Sequence, residues 1–137
     1  MLLISQSQRR DSGFSAFLTR IVRHMNLHYW QDVAMLPQDI LQRRCAHCIE
    51  VARANGFTYE RSIAVFTANM FRINPKFYEQ PAIAQLFADR NRDETERLVG
   101  LVREIKPRAW DEAERMVDAE AYWLEVDAKT ADPRGEE

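Results

Sequence analysis

Apolar residues recur along this chain at three- and four-residue spacing, and that spacing admits helices and little else. Phe14, Phe17, Leu18, Ile21, Val22 and Met25 follow one another at i, i+3, i+4, i+7, i+8 and i+11. Such a row falls on one face of a 3.6-residue helix. Beyond the first few residues no stretch alternates apolar and polar side chains, the mark of a half-buried strand. Four glycines and five prolines in 137 residues leave few places to turn, so the elements are long. A chain of this length suits one domain with a real core and is too short for two comfortable ones. The predicted fold is all-α, a single-domain bundle of five to six helices.

Local signals set the boundaries. Residues 1–10 are expected to form a short extended or disordered arm, after which Ser12 suits the N-cap of the first helix. That helix fades in "NLHYWQDVAML", near Tyr29 and Trp30. Pro37 suits the first turn of a second helix, whose inward row is Leu41, Cys45, Cys48, Ile49 and Ala52. Gly56 in "ANGF" ends it in the left-handed position after the last turn. Thr58 is the expected cap of a third helix, with Glu60 complementing its dipole. Ile63, Phe66, Met70, Phe71 and Ile73 run along it and make it the predicted centre. "NPKFYEQP" is a loop bounded by two prolines, followed by a short helix over 82–88 that buries Ile83, Leu86 and Phe87. Asp93 and Glu96 stand at capping-box spacing before a stripe of Leu98, Leu101, Val102 and Ile105. Pro107 opens the last helix, with Trp110, Ala113, Val117, Ala121 and Leu124 on its core face. The domain is expected over 1–126, with 127–137 a polar flexible tail.

The stretch "RRCAHCIEV" has the letters of a metal or redox site. A thiol-exchange pair sits at a helix N-terminus after a strand, where the dipole lowers the thiolate pKa. Cys45 and Cys48 fall well inside a helix instead, on the stripe that faces the core, and a free cysteine buries readily as a small apolar residue. A Cys2His2 site with His24 and His28, one turn apart on the first helix, is the sharper alternative. The finger order and loop spacings are absent, however, and a chain with this much core needs no metal to fold. His47 is expected on the solvent side with Arg43, Arg44 and Glu50. Core packing is the expectation for both thiols, and no metal or other cofactor is expected.

Other chemistry finds little footing. The glycines are scattered singly, so no phosphate loop exists, and no GxSxG, HExxH or DxDxDG pattern appears. Acid pairs such as Glu112 with Asp118 or Glu120 read as a solvated helix face, and no enzymatic activity is expected. A net charge of −2 argues against bulk nucleic-acid or membrane-surface binding. The helices flanking Gly56 have the outline of a helix-turn-helix, but "SIAVFTANMFRI" is too apolar to read base edges. No run approaches the roughly 18 apolar residues of a membrane span, and the first residues do not resemble a secretory signal. The expectation is a cytoplasmic protein with reduced thiols.

What remains is protein binding. Seven acids against one arginine lie in "DEAERMVDAEAYWLEVD", residues 111–127, giving an acidic surface that carries aromatics. Aromatic and methionine side chains outside the regular stripes are the usual anchors of a partner. The candidate partner-binding residues are Phe77 and Tyr78 in the loop, and Met116, Glu120, Tyr122 and Trp123 on the last helix.

The run "LQRRCAHCIEVARANGFTYERSIAVFTANMFRINPKFYEQPAIAQLF" resembles one found in small helical proteins encoded beside type VI secretion effectors and their adaptor chaperones. Those proteins carry a "GF" or "YGI" turn, a "(T/S)xERDIxxFxxLMF" helix, a "FDxxP" loop and an "ILxD" helix. The matching positions here include Gly56, Phe57, Glu60, Arg61, Ile63, Phe66, Met70, Phe71, Phe77, Pro81, Leu86 and Asp89. Where the family has "LGxxFDxxP" this chain reads "RINPKFYEQP", without the glycine and the aspartate. The resemblance covers about residues 10–105 and implies a non-enzymatic co-chaperone that binds the adaptor chaperone or the effector itself. An immunity protein that blocks a toxin, and a Cys/His metal or redox protein, are the alternatives. The sequence leaves the oligomeric state open.

Overall fold

In the computed structural model, which describes residues 6–130, the predicted apolar rows lie on helices except that Ile73, Ile105 and Val117 stand outside them. The elements run α1 (Gln6–His28), α2 (Trp30–Val33), α3 (Gln38–Ala54), α4 (Glu60–Arg72), a 3-10 turn (Phe77–Glu79), α5 (Pro81–Phe87), α6 (Glu94–Arg103), α7 (Pro107–Ala113) and α8 (Ala119–Thr130). The fold is all-α, with eight α-helices among the described residues where five to six were expected. The chain after Tyr29 makes the extra short helix α2, and the predicted last helix is two helices. Residues 6–10 belong to α1 rather than to an arm, and residues 1–5 of the expected arm lie outside the described residues. Residues 127–130 of the expected tail continue α8, and 131–137 lie outside the described residues.

Helix α3 packs against α1, α4 and α8. Its inward row, Leu41, Cys45, Cys48, Ile49 and Ala52, is fully buried as the spacing predicts. Facing it are Ile21 and Met25 of α1, and Ile63, Phe66 and Met70 of α4. Phe66 is a hub of rings, with centroids 5.6 Å from Phe57, 5.0 Å from Phe77, 5.3 Å from Tyr78 and 6.0 Å from Phe87. These are the offset and edge-on separations that aromatic quadrupoles prefer. Gly56 adopts φ 91°, the left-handed turn expected of it, and Phe57 follows it straight into the core.

Three details depart from local expectation. Tyr59, not Thr58, holds the N-cap position of α4, and no side chain of its own segment caps the helix. The Glu94 carboxylate reaches across from α6 instead. It accepts from the Thr58 and Tyr59 amides at 2.9 and 2.7 Å and from the Thr58 hydroxyl at 3.0 Å. Burial pushes the Glu94 carboxyl up, and the hydrogen bonds from Ser62, Tyr59 and Thr58 outweigh it, leaving it below the usual carboxylate value.

The second departure is in α6 itself. The capping box forms as predicted, Asp93 and Glu96 exchanging bonds of 2.8 Å with each other's amides. The helix is nevertheless rotated so that Glu94, Arg97, Gly100 and Leu101 face inward, and Val102 is 86% exposed. Arg97 donates to the Phe87 carbonyl at 2.9 Å and lies over the Phe57 ring at 5.0 Å. A Cβ on Gly100 would stand 2.8 Å from Leu86 Cδ1, so a larger residue there would have to push the end of the Leu86 side chain aside at this α5–α6 contact.

The third is the break between α7 and α8. Asn74 Nδ2 donates to the carbonyls of Glu114 and Val117 at 3.1 and 2.9 Å, taking up acceptors that a continuous helix would have used. The Asp118 carboxylate then accepts from the Ala121 amide at 3.1 Å and starts α8. The turn changes the phase of the row. Ala121 and Leu124, expected inward, are exposed, while Trp123 and Val126 are buried.

Glu94→Ala should cost about 1–3 kcal/mol by leaving the α4 amides without their acceptor, and Phe66→Ala about 3–5 kcal/mol by emptying the ring cluster. Urea unfolding followed by circular dichroism measures both. A change below about 0.5 kcal/mol for Glu94→Ala would mean that water caps α4 equally well.

Candidate protein-binding surface

The two thiols come first, because they decide whether α3 carries chemistry. Cys45 and Cys48 are free and fully buried. Burial pushes the Cys45 thiol up to about 12, and burial together with Cys45 raises Cys48 well above its ordinary value. A thiolate is the nucleophile and the metal ligand, and neither sulfur yields one at neutral pH. Among the described residues no group of three or more His, Cys, Asp and Glu is placed to hold a metal ion. His24 and His28 do lie together on α1, ring centroids 4.8 Å apart, but both thiols are sealed inside.

Helix α8 closes over this part of α3 and over the end of α4 through four named contacts. Trp123 stacks on Phe71 at 5.1 Å, with 14° between the rings. The Arg44 guanidinium lies 5.3 Å from the Trp123 ring. Arg44 also donates twice to Asp127, from Nε at 3.0 Å and Nη2 at 2.8 Å, with little of either side chain exposed. His47 Nε2 and the Tyr122 hydroxyl share a hydrogen bond of 2.6 Å. His47, expected on the solvent side, is half-buried under α8. Burial lowers its pKa, Lys129 and Lys76 add to that lowering, and Glu50 opposes it. Burial likewise raises the Tyr122 hydroxyl.

The six candidate binding residues therefore separate. Phe77 is wholly buried in the ring cluster and Trp123 is 6% exposed, so both are core side chains rather than open anchors. Tyr78, Met116 and Tyr122 are half-buried, and Glu120 is exposed. Sequence periodicity misplaced Trp123 because the α7–α8 turn shifts the helix phase. The outer face of α8 instead presents Glu120, Ala121, Leu124, Glu125 and Ala128, with Leu124 60% exposed. Glu120, Glu125, Asp111 and Glu114 are all exposed and form no ion pair with a described residue. Asp118 and Glu112 are spent locally, the first capping α8 and the second accepting from Gln80 Nε2 at 2.8 Å. The result is an acidic helix face with one projecting leucine.

A different set of apolar side chains lies open at the end of α1 and in the stretch that joins it to α3. Leu27, Trp30 and Met35 are 66%, 58% and 93% exposed. The sequence placed Trp30 where the first helix fades and singled out neither Leu27 nor Met35. Among the described residues no helix is long and apolar enough to cross a membrane. Comparisons with protein-family models, with curated proteins and with solved structures return no match.

Two outcomes test this arrangement. Iodoacetamide at about pH 8 should label neither cysteine in the folded protein and both after unfolding in urea; rapid native labelling would mean that α8 does not stay closed. Because His47 is held below its ordinary 6.5, the unfolded chain takes up this proton more readily than the folded one. Its contribution to stability is full above about pH 6.5 and is lost as pH falls through the lower folded value. The urea midpoint should drop between about pH 7 and pH 5, and the drop should be smaller in His47→Gln.

Proposed function

We propose that this protein is a non-enzymatic binding factor that uses the outer face of α8 to hold a partner protein. Specifically, it acts as a co-chaperone with the adaptor chaperone that loads a type VI secretion effector. The single observation that carries the reading is the exposed face of Glu120, Leu124 and Glu125, with unpaired carboxylates around one open apolar side chain. Electrostatic complementarity of this kind speeds encounter with a basic patch, while the apolar contact slows release. The resemblance over about residues 10–105 supplies the biological setting. The buried, protonated thiols favour recognition over metal or redox chemistry on α3.

A second reading rests on the same carboxylates. An acidic face also suits the basic cleft of a nuclease toxin, which would make the chain an immunity protein. Survival of cells expressing the toxin separates the two, since a co-chaperone gives no protection.

Deleting α8 is a poor test, because removing Trp123 alone costs about 3–5 kcal/mol of stability. Surface variants avoid that. Co-expression with a type VI adaptor chaperone and its effector from the same organism should yield a complex by size-exclusion chromatography. The double variant Glu120→Lys, Leu124→Asp should weaken it about 10- to 100-fold without moving the thermal midpoint. Failure of either protein to co-elute, or a complex indifferent to the double variant, refutes the reading.

A further inference from the structure

Helices α1 and α3 leave an open groove of about 410 Å³ between them. Val22 and Leu27 give it an apolar floor, and Asn26, Gln38 and Gln42 give it an uncharged polar rim with Arg23 as the one cation. Among the described residues the three amide side chains make no hydrogen bond and Arg23 makes no ion pair. Three carboxylates on the neighbouring elements are already paired, and Glu50, the other one on α3, does not line the groove. Glu60 pairs with Arg20 at 2.9 Å, Asp39 with Arg43 at 3.7 Å and Asp32 with Arg72 at 3.6 Å. Arg23 lines the groove without an ion pair to a described residue.

The groove is long enough to matter. From Thr19 to Leu27 its α1 wall spans about 12 Å, a little over two helical turns. Its walls are helices, whose backbone groups are satisfied internally. An extended peptide laid here would lose water from its amides and carbonyls without finding partners, whereas a helix brings its own hydrogen bonds.

We propose that this groove receives one amphipathic helix of a partner protein, seating apolar side chains on Val22 and Leu27 and a carboxylate against Arg23. The site is separate from the α8 face and does not rest on its assignment. The two surfaces are opposite in demand, α8 offering carboxylates and the α1–α3 groove asking for one. The chain can then hold two partners at once.

The probe is a fluorescein-labelled alanine-based peptide of about 16 residues, long enough to be partly helical alone. Its leucines are spaced i, i+4 and i+7, with glutamates flanking them, and a control peptide carries glutamine in place of glutamate. Fluorescence anisotropy should show the glutamate peptide binding about tenfold tighter than the glutamine control. Arg23→Glu should reverse that order, Leu27→Asp should abolish binding of both, and Leu124→Asp should change nothing. All three positions are exposed, so circular dichroism should report an unchanged fold. The proposal is overturned if neither peptide binds below the millimolar range, if Arg23→Glu leaves the order intact, or if Leu124→Asp removes the binding. It is equally overturned if sedimentation finds a dimer that Leu27→Asp dissociates, because a second copy then fills the groove.

Discussion

The constraint on which this fold depends is that α3 is covered by three other helices. A helix wrapped on that much of its circumference cannot confine its polar side chains to a free face. Those that fall under a neighbour must find partners there, since an unmatched polar group away from water costs more than a hydrogen bond returns. Arg44 and His47 are in that position. Asp127 and Tyr122, both on α8, answer them, and the spacing between the two contacts fixes where α8 sits along α3. The small sulfurs of Cys45 and Cys48 let α8 and α4 close on the same stretch. The residues that look most chemical in the sequence thus serve as packing, and the charges beside them act as fasteners.

What could be read from the chain was whatever is local. The rows on α1, α3 and α4, the turn at Gly56 and the capping box at Asp93 involve residues within a few positions of one another, and periodicity and cap chemistry describe them. What could not be read is held by bonds across long separations. Glu94 caps a helix 34 residues behind it in the chain, beginning at Glu60, and Asn74 ends one helix while standing at the close of another. No local pattern marks such a residue, because nothing about its neighbours differs. The misjudged face of the last helix follows directly. Once Asn74 interrupts the helix near Val117, every later side chain is turned to a new bearing, so a tryptophan that suited the rim lies inside. Helix α6 was misread for a related reason: a glutamate and an arginine take inward places that apolar residues would ordinarily hold.

The same distinction bears on function. Interior positions absorb the cysteines and six of the fourteen aromatic rings, and six more rings and His47 are half-buried. The surface is divided. One side of α3 carries an acidic helix with a projecting leucine. The other carries an apolar floor edged with amides and one cation. On the proposed reading, this division lets two partners bind without competing for one face.

Asn74 and Asn55 also set how this molecule ages. Deamidation proceeds when the backbone nitrogen of the next residue attacks the side-chain amide and closes a succinimide ring. Pro75 follows Asn74, and its nitrogen carries no hydrogen, so the amide that ties the α4 end to the α7–α8 turn is chemically shielded. Gly56 follows Asn55 and puts no side chain beside the attacking nitrogen, whose N–H donates to the Arg53 carbonyl at 3.0 Å, and the Asn55 side chain donates to the Val51 carbonyl at 2.9 Å. Old protein should accumulate isoaspartate at the close of α3, loosening the entry of Phe57 into the core while the far end of the bundle stays intact.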